Sequence, residues 1–196
     1  MWHGDNHLMA LGTATVLMLC AACAGPAPDG DVDAGQDEDH EHRPLVVPTD
    51  PAPVPTPLPR TPADARRATR DGAAAFVRYY FAAMDYAFAS GDASMMERLS
   101  SSDCDTCRGL IQSARAASED GRSTRGGSTT VRRAQVLGAP ASGTAEVRVT
   151  YDAAAFVELD PHGQPVQVQD AQHGRRAVVG LQRVGTRWKV THIADL

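Results

Sequence analysis

Residues 75–92 read AFVRYYFAAMDYAFASGD, and the spacing of their apolar side chains decides the fold. Phe76, Val77, Tyr80, Met84, Ala87 and Phe88 recur at three- and four-residue steps, which puts them on one stripe of a long α-helix. Asp71 stands where an N-cap acceptor is wanted, and Gly91 follows the last apolar residue as a C-cap glycine does. Asp92 then caps a shorter helix carrying Met95, Met96 and Leu99. A third helical segment, Thr106 to Glu119, sets Leu110, Ile111, Ala114 and Ala117 on one side and stops at Gly121.

From Thr129 onward the period drops to two. Val147, Val149 and Tyr151 alternate with Glu146, Arg148 and Thr150, as in a half-buried strand. Ala177, Val179 and Leu181 repeat the pattern. Trp188, Val190 and His192 alternate with Lys189, Thr191 and Ile193, which predicts that His192 shares a strand face with Trp188 and Val190. Gly185-Thr186 lies between the last two runs as a hairpin turn. Helices first and a meander of antiparallel strands after them predict an α+β domain, its N-terminal helices packed on one face of a curved sheet.

Toward the N-terminus the composition changes sharply. Residues 24–63 hold ten of the thirteen prolines and no aromatic residue. Eight acids there face only Arg43 and Arg60, a balance of −6. Such a segment cannot bury enough apolar surface to offset its ordering entropy, so it reads as a disordered acidic, Pro-rich linker. Ahead of it, the apolar run from Leu8 to Leu19 is too short for a membrane span, which needs about 20 residues, and fits a secretory signal. The division is therefore 1–22 signal peptide, 23–63 linker and 64–196 folded domain. The domain carries 17 basic and 15 acidic side chains, a surplus of two that is no footprint for nucleic acid.

Ala21-Ala22-Cys23 resembles the lipobox of bacterial lipoproteins, in which the cysteine is acylated and becomes the mature N-terminus. That resemblance implies a lipid anchor on Cys23, a location on the extracytoplasmic face of the cell membrane, and a Pro-rich stalk. The alternative is an ordinary signal peptide and a secreted protein. The helix-then-strand order resembles the nuclear-transport-factor-2-like fold, a cone in which a bent sheet wraps a long helix. Ala75 to Tyr80, the Ala89-Ser90-Gly91-Asp92 turn and the Cys104-Asp105-Thr106-Cys107 pair are similar to an actinobacterial lipoprotein family without assigned function. The resemblance implies location and fold, and possible pairing of two copies into a homodimer, but no activity.

Cys104 and Cys107 fit a structural disulfide in an oxidising compartment. A redox pair wants a stabilised thiolate, and Asp103 and Asp105 oppose one. Zinc needs two further ligands, and His162, His173 and His192 are not at ligand spacing. The tract Asp37-Glu38-Asp39-His40-Glu41-His42 reads as a solvated charge run, not a metal site. Arg125-Gly126-Gly127-Ser128 reads as a flexible turn. No catalytic motif and no cofactor signature stands out. Tyr80, Asp85, Tyr86, Asp152 and His192 are the polar residues placed to reach the open end of a cone, and Tyr80, Asp152, Trp188 and His192 form the candidate pocket; Asp85 and Asp152 also read as solvent-facing. The chain is thus expected to be a non-enzymatic envelope module binding a protein, glycan or small ligand. An enzyme acting on a small lipophilic metabolite is the alternative.

Overall fold

The computed structural model describes residues 57–196 apart from residue 142; Cys23, the signal peptide and the linker up to residue 56 lie outside the described residues. The first element of the described residues is a one-turn 3-10 helix, Asp64–Arg66, followed by α1 (Arg70–Ser90), α2 (Ser94–Leu99) and α3 (Asp105–Glu119). Among the described residues seven strands follow: β1 (Ser123–Gly126), β2 (Thr129–Ala141), β3 (Thr144–Ala153), β4 (Phe156–Leu159), β5 (Pro165–Gln169), β6 (Gln172–Val184) and β7 (Arg187–Asp195). They make two antiparallel sheets, one in the order β2-β3-β6-β7 and a smaller one in the order β1-β4-β5. The fold is α+β.

The predicted stripe of α1 is the centre of the core. Phe76, Val77, Tyr80 and Ala87 are buried, together with Tyr79, Phe81 and Ala83. They pack with Val147, Val149, Ala177, Val179, Leu181, Trp188 and Val190 of the larger sheet, and with Met95, Met96, Ile111 and Ala114 of the short helices. Thr69, not Asp71, caps α1: its Oγ1 accepts from the Gly72 N–H at 3.1 Å. The helix starts at Arg70, so Asp71 is already inside the first turn, where its charge complements the helix dipole instead. Gly91 ends the helix in the left-handed conformation, as predicted. Asp92 accepts from the Ser94 N–H at 2.9 Å ahead of α2.

The segment ahead of α1 is tied to it and to the larger sheet. The Thr61 hydroxyl donates to the Tyr79 hydroxyl at 3.0 Å. Trp188 Nε1 and Arg183 Nη1 donate to the carbonyls of Arg67 and Arg66, each at 2.9 Å. This segment crosses α1 at Gly72, where a Cβ would lie 2.2 Å from the Arg67 carbonyl oxygen. Only glycine permits that approach.

β2 is an edge strand, and an edge leaves backbone groups without a ladder partner. Three side chains of α1, spaced eight and seven residues apart, satisfy them. Arg70 Nη2 donates to the Val136 carbonyl at 2.8 Å, Arg78 Nη1 to the Val131 carbonyl at 2.6 Å, and Asp85 Oδ2 accepts from the Thr129 N–H at 2.8 Å.

One sheet expectation is corrected. Leu181 pairs with Val190 but Gly180 pairs with His192, so β7 carries one extra residue, Thr191, at a bulge. A bulge shifts the side-chain alternation by one place. Trp188 and Val190 stay buried, whereas His192 turns to the outer face, its side chain half exposed.

Candidate functional site

The core leaves the C-terminal half of α1 only partly covered. There a cleft of about 700 Å³ opens between α1, α3 and the smaller sheet. Helix α1 contributes Met84, Asp85, Phe88 and Ala89, a set repeating every four residues and hence on one face. Helix α3 contributes Leu110, Ser113, Ala116 and Ala117. The predicted stripe of α3 therefore divides: Ile111 and Ala114 enter the core, while Leu110 and Ala117 line the cleft. Phe156 and Glu158 of β4 and Gln167 of β5 form the opposite wall.

The run from Arg125 to Ser128 is not a free turn. Ser123–Gly126 is β1, paired along its length with β4, and Gly126 to Thr129 form part of the cleft wall. Gly126 has φ +79°, and a Cβ there would stand 2.3 Å from the Ala155 carbonyl oxygen. The left-handed backbone and the close contact both require glycine. The bend lets the chain leave the small sheet at Gly126 and enter the large one at Thr129, with the cleft in the angle.

Two polar features mark the walls. Asp85 is half-buried in the cleft; burial raises its pKa above the ordinary carboxylate value, and its bonds to Thr129 oppose that rise. This corrects the solvent-facing expectation for Asp85, since the edge of β2 and the cleft walls cover it. Arg122 ties the far side together, with Nη1 at 3.0 Å from Glu158 Oε1 and Nη2 at 2.8 Å from Asp120 Oδ2. Arg122 Nε is buried without a partner among the described residues. The remaining lining is largely methyl, methylene and phenyl. Such an arrangement can hold an apolar molecule and orient it by a polar group at Asp85.

The four candidate pocket residues are not brought together. Tyr80 is fully buried, its hydroxyl 3.0 Å from Ser100 Oγ, with a pKa raised by burial. Trp188 is buried in the core under the Arg183 guanidinium, 5.2 Å from its ring. Asp152 accepts from the Gly174 N–H and from Arg132 Nε, both at 2.8 Å. These bonds lower its pKa to about 2, chiefly through the Gly174 bond. His192 lies over Gly180 in a shallow groove of about 570 Å³ on the outer face, with Nε2 4.0 Å from Glu146 Oε1. Of the polar residues singled out from sequence, Asp85 is the one that lines the cleft. Its place seven residues after Arg78, on the side of α1 that meets β2, was the available signal.

Cys104 and Cys107 form a disulfide with an S–S distance of 2.07 Å. Cys104 is also the N-cap of α3, its Sγ accepting from the Cys107 N–H at 3.2 Å. Both residues are buried, which closes the pair to attack by an external thiolate and fits a structural role.

Comparison with known proteins adds a family and a likeness. A pattern described as a family of unknown function, DUF6318, matches residues 49–194. Among solved structures, the intermembrane space region of chloroplast protein ARC6 aligns at 16% identity and a TM-score of 0.50, covering 66% of this chain and 98% of that one. Aln2 from a Streptomyces species aligns at 17% identity and a TM-score of 0.40, covering 61% and 85%. At these identities the first likeness bears on the fold alone. No curated protein matches the chain significantly.

Proposed function

The chain belongs to DUF6318, a family of unknown function, and from the site itself we propose that it is a binding module for a small apolar ligand, held outside the cell membrane by a lipid on Cys23. The observation that carries the proposal is the cleft. Its volume of about 700 Å³ falls within the range of small-molecule sites, as does an apolar lining with a few placed polar groups. The anchor rests on the Leu8 to Cys23 sequence and the Pro-rich spacer behind it. We also read the architecture as a nuclear-transport-factor-2-like cone; in support, a long buried helix comes first and an antiparallel sheet packs against it.

Titration with N-phenyl-1-naphthylamine, which fluoresces on leaving water, tests the binding. Saturable enhancement is expected, and Ala117→Trp, which fills the cleft from α3, should abolish it. Non-saturable enhancement, or an unchanged response in Ala117→Trp, refutes the proposal. Replacing Cys23 by Ala should release the protein from membranes into the medium; unchanged membrane association refutes the anchor.

One observation favours an enzyme as a second reading: a carboxyl of raised pKa, Asp85, in an apolar cleft is a placement that suits a general base. Mass spectrometry of ligand extracted before and after prolonged incubation separates the two. Conserved mass supports the binding module, and altered mass supports the enzyme.

A further inference from the structure

We infer that the cleft selects an organic cation, an apolar body carrying an ammonium group that sits against the Asp85 carboxylate. The inference rests on the cleft being a ligand site and adds the charge of its occupant. Among the described residues three charged side chains line the cleft: Asp85, Glu158 and Arg122. Arg122 is already shared between two carboxylates, Glu158 at 3.0 Å and Asp120 at 2.8 Å. Its two terminal nitrogens are held on the far wall, and its charge is matched there by those carboxylates; Nε, buried on the same wall, has no partner among the described residues.

Asp85 is different. Its partner is Thr129, through the N–H bond to Oδ2 and through the threonine hydroxyl. Among the described residues it has no ion pair, so the lining carries one negative charge in excess. A partly desolvated carboxylate without a counter-ion is costly, and a bound cation would offset that cost. An anionic ligand would add repulsion to the same cost.

The aromatic lining points the same way. Phe88 is three residues after Asp85 on α1, which makes the two side chains neighbours on one helix face, and Phe156 stands across the cleft. Phenyl rings in a lining that also holds a carboxylate can attract a cation through their quadrupole and accept its hydrocarbon part by burial. Met84, Leu110, Ala116 and Ala117 would take the remaining apolar surface.

Displacement of N-phenyl-1-naphthylamine from the full chain by octylammonium, octanol and octanoate tests this. Octylammonium should compete about tenfold better than octanol, the equivalent of one ordinary charge-assisted bond. Octanoate should compete worst. In Asp85→Asn the side-chain oxygen still accepts from Thr129, so the cleft survives; octylammonium should lose its advantage and fall to the level of octanol. Phe88→Leu, which keeps most of the apolar volume, should weaken octylammonium about threefold more than it weakens octanol. Octanol binding with no preference for octylammonium, or a preference that persists in Asp85→Asn, overturns the inference and leaves the cleft a binding site. Failure of every probe, including the naphthylamine, overturns both.

Discussion

Tyr80 and Ser100 test whether the central tyrosine is structural or functional. The Ser100 hydroxyl donates to the Met96 carbonyl at 2.7 Å, so its one proton is committed. The Tyr80 hydroxyl, 3.0 Å away, must therefore donate to Ser100 Oγ. The two deletions are then unequal. Tyr80→Phe removes the donor and leaves Ser100 bonded to Met96, a loss of about 1 kcal/mol, the net value of an ordinary hydrogen bond. Ser100→Ala strands the phenolic O–H of a residue that is 0% exposed, which costs about 2 kcal/mol. The double variant has no stranded group and should cost about 1 kcal/mol less than the sum of the two. Urea denaturation measures all three, and thermal melts should show roughly 3 °C per kcal/mol for a chain of this size. Naphthylamine binding should be unchanged in Tyr80→Phe, since that hydroxyl faces α2 and not the cleft. Equal costs for the two single variants, or loss of binding in Tyr80→Phe, would refute the reasoning.

Three further outcomes follow from the same geometry. Replacing Cys104 and Cys107 together by Ala should lower stability by about 2 kcal/mol, the chain-entropy value for so short a loop, in a denaturant titration; an unchanged midpoint contradicts it. Gly126→Ala meets a backbone oxygen and a positive φ together, so a loss of about 2 kcal/mol and weakened naphthylamine binding are expected; a fully stable variant refutes the account of the bend. For Asp85 the sign runs toward acid. Its folded pKa is raised above 3.8, so the group favours folding below that value, and the contribution is lost as pH rises through the folded pKa. Asp85→Asn, which never ionises, should therefore melt above the native protein at pH 7. The gap should close as pH falls toward 3.8, and a gap independent of pH would sink the prediction.

The parts of the fold that were legible in the sequence are those that repeat. The stripe from Phe76 to Phe88, the Gly91 stop and the alternation of β3 and β6 are periodic, and periodic burial is what packing a helix on a sheet demands. The misplaced features are single events. Whether Thr69 or Asp71 caps α1 depends on which residue first takes helical dihedrals, and both residue types are good caps. The Thr191 bulge inserts one residue into an otherwise regular strand and so reverses His192 without altering the composition. The cleft was hardest to see, because short segments from α1, α3 and the β1, β4 and β5 region each supply only a few of its lining residues.

The division of labour between the two sheets explains why the site lies where it does. The larger sheet and the first half of α1 spend their bulky side chains on each other: Phe76, Val77 and Tyr80 are buried in one cluster with Val147, Val179, Leu181 and Trp188. A core packed to that density has no room for a ligand. The smaller sheet meets the molecule through residues of a different kind, with Gly126 and Gly127 at its junction and Ala116 and Ala117 facing it from α3. The two glycines are fixed by their left-handed backbone, whereas Ala116 and Ala117 leave space that longer apolar side chains would have filled, at about 0.8 kcal/mol for each buried methylene. Meanwhile Met84, Phe88 and Phe156 remain only partly covered, and Asp85 carries its charge into the same space. Apolar surface left uncovered and a carboxylate without an ion pair among the described residues are both destabilising to the isolated fold, and the inferred occupant, apolar along its length and positive at one end, would relieve both.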